Sequence, residues 1–422
     1  MRISALVTVS AAAALAISGC QHVGAADGPD GGDADSDTDT DSDTDSESGG
    51  LTDPELPGTL RGIVTAASGF PVPYALVYVT EGGAAPIEDG AYCYECDDIS
   101  GLRWTLSEAD GSWEIGDVPA GAWNLVTRQG FFRRQREIEV VPDAVIDVPA
   151  ELTQLPSENG ADGLDRIPNY AVLLNIHDKP EDLLAKMGLG ELDGEGHLQP
   201  GTEPFDLYDD DATGTSAVGP SSSLFESQEA LSHYHMVFFP DICHTLFADE
   251  QTAMLQTYVS GGGAICASGW ASQWVEQPFP EIVEFNGDDD LYNAGDVGEW
   301  DSLGALTDTG MGEWIEAVCP SCDQESFPFE NGWTLIDSLT EGAYAGHGAE
   351  EDGTLVVPRV WATDVSEYPE HPLAVTWQYD CGRAMYTTYP GSDGLDPTPE
   401  IRPQEWVTIY LILALPGGGP CE

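Results

Sequence analysis

From Thr59 to Leu152 apolar and polar residues alternate in short runs separated by turns: LRGIVTA, YALVYVT, RWTLS, SWEIGDV, AWNLVTR, REIEVV and AVIDVPAEL. From Pro168 onward the alternation gives way to continuous apolar runs. No other feature constrains the fold as much as this change of period. Alternation at period 2 places apolar side chains on one face only, so the first stretch predicts about seven half-buried antiparallel strands and hence a β-sandwich. Asp110-Gly111, between two such runs, is a hairpin signal. NYAVLLNI, in contrast, reads as a strand covered on both faces, and PEDLLAKMGLG after it as a helix with a glycine stop. GTEPFDLYDD, HMVFFPDI and AICAS are further strands, separated by the helical segments LFESQEALSHY and DEQTAMLQTYVSGGG. Strand and helix in alternation predict a doubly wound, flavodoxin-like α/β domain. The chain is therefore expected to be multi-domain, an antiparallel β-sandwich over 57–153 followed by an α/β domain over 160–418.

Charge narrows the partners. Among 422 residues, 75 are acidic and 13 basic, a formal net charge of -62, and Lys179 and Lys186 are the only lysines. Such a field repels nucleic acid and anionic lipid headgroups, which excludes both as partners. The acidity serves solubility at an exposed surface, or else its Asp-rich loops bind divalent cations. NGDDDLYNAGD, with Asp288, Asp289 and Asp290, reads first as a plain solvated loop; its several oxygens could alternatively wrap Ca²⁺. No other cofactor is expected.

Arg2 and the apolar stretch LVTVSAAAALA form a signal peptide over residues 1–20, too short to span a bilayer. Ile17-Ser18-Gly19-Cys20 at its end resembles the lipobox of bacterial lipoproteins. That resemblance implies cleavage before Cys20, acylation of that residue and attachment to the membrane through its lipid. Gln21 in place of an inner-membrane retention aspartate points to the outer membrane of a Gram-negative bacterium. Residues 21–56 hold the run DGPDGGDADSDTDTDSDTDSESGG, whose like charges predict an extended, disordered linker.

Eight cysteines remain: Cys93, Cys96, Cys243, Cys266, Cys319, Cys322, Cys381 and Cys421. An even number in an exported chain reads first as disulfides. CYEC and CPSC are each C-x-x-C, and local or mutual bridges are expected of them, ahead of zinc or thiol chemistry.

Gly62-Ile63-Val64, PVPYALVYV and EADGSWEIGDVPAGAWNLV, in that order, resemble the carboxypeptidase regulatory-like family, a transthyretin-like sandwich. The resemblance implies an accessory module without catalytic residues of its own. Within it Arg128, Arg133, Arg134 and Arg136 form a cationic group, either a patch for an acidic glycan or strand charges neutralised by the protein's own carboxylates.

HMVFFPDICHTLFADEQTAMLQTYVSGGGAICAS, with the later HPLAVTWQYDCGRAMYTTYPG, resembles the class I glutamine amidotransferase-like superfamily, trehalose-utilisation-type members included. In that superfamily the nucleophile is a cysteine on a tight strand-to-helix turn, where backbone N–H groups lower its pKa. The resemblance makes Cys266, in Ala264-Ile265-Cys266-Ala267-Ser268, the candidate nucleophile. Tyr389 stands where the family's histidine would be and Gly391 where its carboxylate would be, so the triad looks incomplete. The alternatives for Cys266 are a bridge to Cys243, an inert buried thiol, or an unpaired remnant in a ligand pocket. Ser268 has the bulky Trp270 where an elbow needs a small residue. His233 and His235 alternate as a two-histidine metal site would, with no carboxylate to complete it. Trp270, Trp274, Trp300 and Trp314 offer a surface for stacking sugars, or else core packing.

The expectation for the whole is a cell-envelope lipoprotein with a non-catalytic role in recognition or support, binding a glycan or an envelope protein. A hydrolase acting on carbohydrate or amide bonds and a calcium-dependent glycan binder are the competing classes.

Overall fold

A computed structural model describes residues 56–94, 96–209, 216–240, 248–280, 282–287, 294–340, 358–394 and 396–415. The chain is sheet-rich, with several sheets and short helices. The alternating region forms β1 (Gly58–Ile63), β2 (Leu76–Thr80), β3 (Arg103–Leu106), β4 (Ser112–Val118), β5 (Gly121–Gln129), β6 (Phe132–Val140) and β7 (Val145–Asp147), and β8 (Asp165–Arg166) follows from the connecting segment. They make two sheets, ordered β4-β1-β7 and β3-β2-β5-β6-β8. Leu60, Trp113 and Ile115 from one sheet and Val77, Val79, Leu125 and Phe132 from the other belong to one apolar cluster; β2 departs from the half-buried expectation, because its other face, Leu76 and Tyr78, is covered too, in a cluster with Ile99 and Val126. One pairing departs from the antiparallel expectation, because β7 runs parallel to β1.

The second region continues with β9 (Tyr170–Leu173), α1 (Pro180–Lys186), β10 (Asp206–Tyr208), α2 (Ser221–Leu224), α3 (Gln228–Ser232), β11 (Met236–Phe239), α4 (Asp249–Ser260), β12 (Ala264–Ser268) and α5 (Gln273–Glu276). Then come β13 (Val283–Phe285), β14 (Asp296–Leu306), α6 (Thr309–Val318), β15 (Phe327–Thr334), β16 (Ile336–Leu339), β17 (Arg359–Asp364), β18 (Pro372–Tyr379), β19 (Gly382–Thr387) and α7 (Pro403–Ala414). Nine strands form one sheet in the order β10-β9-β11-β12-β19-β18-β17-β14-β15. The first five are parallel and the rest antiparallel. Both β9 and β11 are buried at every residue, as continuous apolar runs require. Of LFESQEALSHY, expected as one helix, only Gln228–Ser232 forms a helix, α3, while Leu224 ends α2, which starts before the segment. Among the described residues no helix is long and apolar enough to cross a membrane.

The two regions share a core. The apolar cluster that holds the β1 and β2 side chains also holds Tyr170, Phe238, Trp314 and Trp406. Phe70 packs edge-on against Trp314 and Trp406, and Trp314 Nε1 donates to the Pro71 carbonyl at 2.8 Å. The loop before β3 lies on the other side of the second region. There the Ala91 N–H donates to the Ser232 carbonyl at 2.9 Å, and Cys93 is bridged to Cys381 in the β18–β19 turn.

This docking explains the glycine run after α4. Gly262 has φ of 104°, and a Cβ there would meet the Tyr92 carbonyl oxygen at 2.0 Å. The glycines therefore leave room for the incoming loop as well as ending a helix. Gly262→Ala should destabilise the protein by roughly 2 kcal/mol or more, from backbone strain and overpacking together. Chemical denaturation of the two proteins side by side measures it.

Candidate functional site

In the parallel part of the sheet β9, β11, β12 and β19 lie side by side in that order, and the loops leaving β9 and β19 join. The Lys179 N–H donates to the Ser392 carbonyl and the Gly394 N–H to the His177 carbonyl, both at 2.8 Å. Asp178, fully buried between these loops, accepts from the Ser392 N–H at 3.0 Å and from the Ser268 hydroxyl. Ser268 is the last residue of β12, and Gly269 after it takes φ of 51°. The strand-to-helix turn thus comes two residues later than Cys266, the position expected for an elbow.

Cys266 lies mid-strand, in register with Phe238 on β11 and Met385 on β19. It is an unbridged, buried thiol in the apolar cluster, so the expected Cys243 to Cys266 bridge is not made. Burial, and after it the nearby Asp178 carboxylate, push its pKa well above the ordinary thiol value. The cause is desolvation, which disfavours the charged form, and no helix terminus offsets it. Tyr389 is 1% exposed, and burial raises its phenol pKa as well, so it neither takes a proton near neutrality nor faces a ligand. Among the described residues no histidine nitrogen bonds to Cys266 or Ser268. His371 Nδ1 is held 2.8 Å from the Ile336 carbonyl.

Around this point the chain buries charge. Lys186 Nζ lies 2.6 and 2.9 Å from the two oxygens of Glu405, joining α1 to α7. Glu405 also accepts from the Ser392 hydroxyl at 2.9 Å and from the Arg402 N–H at 2.8 Å, the latter an N-terminal cap of α7. Asp182 accepts from the Leu198 N–H at 2.7 Å and faces His197 Nδ1 at 2.8 Å. Glu181 is less well provided for. Lys179 Nζ stands 3.3 Å from its Oε1, yet burial dominates and raises its pKa to about 8. Sequence patterns did not single out these residues. The available signal was Lys186, one of two lysines, set in the apolar helix DLLAKM.

The remaining candidates are dispersed. Arg128 is paired with Asp97 and lies over the Tyr94 ring at 4.2 Å. Arg133 donates to the Ala85 and Gly163 carbonyls, and Arg134 and Arg136 share Asp165 at 3.2 and 2.6 Å. The expected cationic patch is therefore consumed by internal partners. Trp274 is 3% exposed and stacks on Phe239, while Trp300 and Trp314 are buried too, so the tryptophans form core and not a stacking surface. Trp270 is half-buried against Trp333, with ring centroids 4.4 Å apart.

His235 accepts from the Asn169 N–H at Nδ1 and donates from Nε2 to the Glu88 carbonyl, leaving no lone pair for a metal. Cys319 and Cys322 bridge each other, whereas Cys93 reaches Cys381 instead of a C-x-x-C partner, and Cys96 is also disulfide-bonded. Cys20, Cys243, Cys421, Asp288, Asp289, Asp290 and His347 lie outside the described residues. Among the described residues no three His, Cys, Asp or Glu side chains gather as a metal cage.

No protein-family model matches the chain, and no curated protein matches it. Solved structures are similar to it at low scores. A cytoplasmic protein of Salmonella typhimurium is 11% identical, with 53% of this chain and 88% of that one covered and a TM-score of 0.30. A ThuA-like protein of Bacteroides uniformis is 11% identical, with 58% and 89% covered and a TM-score of 0.32. A protein of Pseudomonas aeruginosa described as carbohydrate-binding is 12% identical, with 25% and 91% covered and a TM-score of 0.18.

Two tests follow from the site. In the native protein Cys266 should resist iodoacetamide at pH 7.5 and react once the chain is unfolded; rapid native alkylation followed by peptide mapping would contradict its burial. Glu181 binds its proton more tightly folded than unfolded, so its contribution to stability is present below the unfolded carboxylate pKa and is lost as pH rises toward about 8. Stability should fall over that window with a slope approaching ~1.4 kcal/mol per pH unit from this group. Glu181→Gln should flatten the pH dependence of urea midpoints there.

Proposed function

We propose that this protein is an exported, lipid-anchored component of the bacterial cell envelope, carrying an acidic tether and two sheet modules, with a role in recognition or support and not in catalysis. Cys20 is the lipidated residue, and the outer membrane is its location. Two sheets with a common core support the reading of the first module as a β-sandwich of the carboxypeptidase regulatory-like kind. Numbered along the second region, the parallel strands run 2-1-3-4-5, a flavodoxin-like order that supports the amidotransferase-like reading of the second module. A disulfide between distant segments, Cys93 to Cys381, suits an oxidising compartment.

The observation that carries the non-catalytic reading is the state of Cys266: unbridged, buried in apolar surroundings, its thiol pKa raised, with Tyr389 beside it instead of a base. A nucleophile shares only the first of these, the free thiol; it needs access to substrate, a lowered pKa and a base within reach. The ligand is accordingly a glycan or an envelope protein. The hydrolase reading has one observation in its favour, the Ser268 hydroxyl bonded to the Asp178 carboxylate at the strand ends. Calcium-dependent glycan binding rests on the Asp288 to Asp290 loop of the sequence.

The test expresses the full chain and its Cys20→Ala variant in a Gram-negative host. The wild type should fractionate with outer membranes and the variant should not; release of both into the soluble fraction would refute the anchor. The purified chain, screened on glycan arrays with and without Ca²⁺ and on ester, amide and glycoside substrates, should bind without turnover. Turnover abolished by Asp178→Asn would establish the hydrolase instead.

A further inference from the structure

A second cleft, of about 380 Å³, opens at the other end of the parallel strands, lined by β17, β18, β19 and the last turn of α7. Arg359 is opposite Thr376 in the β17–β18 register, and Gln378 is opposite Arg383 in the β18–β19 register. Thr376 and Gln378 are two residues apart on one strand, so all four side chains stand on the same face. The fold thus sets two guanidinium groups and two neutral polar groups side by side, in a chain with 75 carboxylates.

The two arginines differ in how they are satisfied. Arg359 pairs with Asp308 and lies over the Trp361 ring, 3.9 Å from its centroid. Arg383 has no carboxylate partner among the described residues. Its Nη1 donates to the Ala414 and Leu415 carbonyls at 3.4 and 3.1 Å, and the rest of the fork is left without a described protein acceptor. Burial lowers its pKa. A partly buried guanidinium that lines an open cleft and spends only Nη1 on described carbonyls has N–H donors suited to an anion.

The size and polarity of the cleft select among anions. A long polyanion would meet the repulsion of the whole chain, whereas a small one within the cleft senses mainly charges inside the Debye length, about 8 Å at physiological salt. Trp361 Nε1 is engaged by the Thr376 hydroxyl at 2.8 Å and Gln378 Nε2 by the Asp380 carbonyl at 2.7 Å. This leaves the Thr376 hydroxyl proton and Gln378 Oε1 for ligand polar groups.

We propose that this cleft binds a small hydroxylated carboxylate, an acidic monosaccharide, with its carboxylate on the Arg383 fork and Arg359 alongside, and its hydroxyls toward Thr376 and Gln378. The site is separate from the strand-end residues Ser268 and Asp178 and does not depend on the lipid anchor.

Calorimetric titration of the mature chain with D-glucuronate, and with D-glucose as its neutral counterpart, tests it. Glucuronate should bind saturably and glucose should not. Arg383→Gln should weaken glucuronate binding by about tenfold to a hundredfold, the range of a charge-assisted hydrogen-bonded pair. Because Arg383 also holds the end of α7, the exposed Arg359→Gln serves as a second variant, expected to weaken binding severalfold while its circular dichroism stays that of the wild type. Absence of glucuronate binding to the wild type, equal binding of glucose, or glucuronate binding unchanged in both variants would overturn the proposal; loss of membrane anchoring alone would not.

Discussion

Scarcity of positive charge governs this structure. Twelve of the thirteen cationic side chains lie in the described residues, and nine of those, Arg61, Arg128, Arg134, Arg136, Arg166, Lys179, Lys186, Arg359 and Arg402, pair with carboxylates. The pair that matters most is Lys186 with Glu405, both almost fully buried. An isolated buried ion is very costly, and removing one partner of such a pair usually costs ~3–5 kcal/mol. Here the pair is further satisfied by Ser392 and the N–H of Arg402, so one network ties α1, α7 and the loop after β19. Ser392 also links this network to Asp178 at the strand ends, its N–H donating to the carboxylate at 3.0 Å.

The same scarcity decides what the arginine-rich strand can do. On β6 the alternation places Arg134 and Arg136 on one face, which taken alone suits an acidic ligand. Asp165 on β8, a segment outside the alternating runs, occupies both. A local cluster of charge is thus neutralised by a residue about thirty positions away. Arg383, by contrast, meets carbonyls and not a carboxylate, and it faces a cleft.

Attachment of the two regions is the other organising constraint. Glycine 262 accommodates the backbone of residue 92, Cys93 is bridged to Cys381, and Trp314 reaches the Pro71 carbonyl. Each contact joins segments that are individually unremarkable. Together they make the β18–β19 turn and α6 part of the first region's support, so the two modules share one core although their hydrophobic periods differ.

Periodicity located the strands, because burial on one face or on two leaves its own pattern in the residues: SWEIGDV and NYAVLLNI became the one-faced and two-faced strands they imply, whereas YALVYVT, read as one-faced, is buried on both faces in β2. The helix of PEDLLAKM and the strand AICAS were equally legible. What periodicity does not carry is which strand neighbours which, and tertiary structure decided this: β7 lies parallel to β1, and β12 continues two residues past Cys266 before it turns. Exposure of Cys266, Trp274 and Tyr389 was settled in the same way, since these residue types occur both at sites and in cores and only packing by distant segments removes them from water. The cysteine pairing, the neutralised arginines and the open cleft at Arg383 likewise depend on residues brought together across long separations. Residue types and local spacing state what chemistry is available; long-range contacts decide which of it is desolvated, paired or left facing solvent.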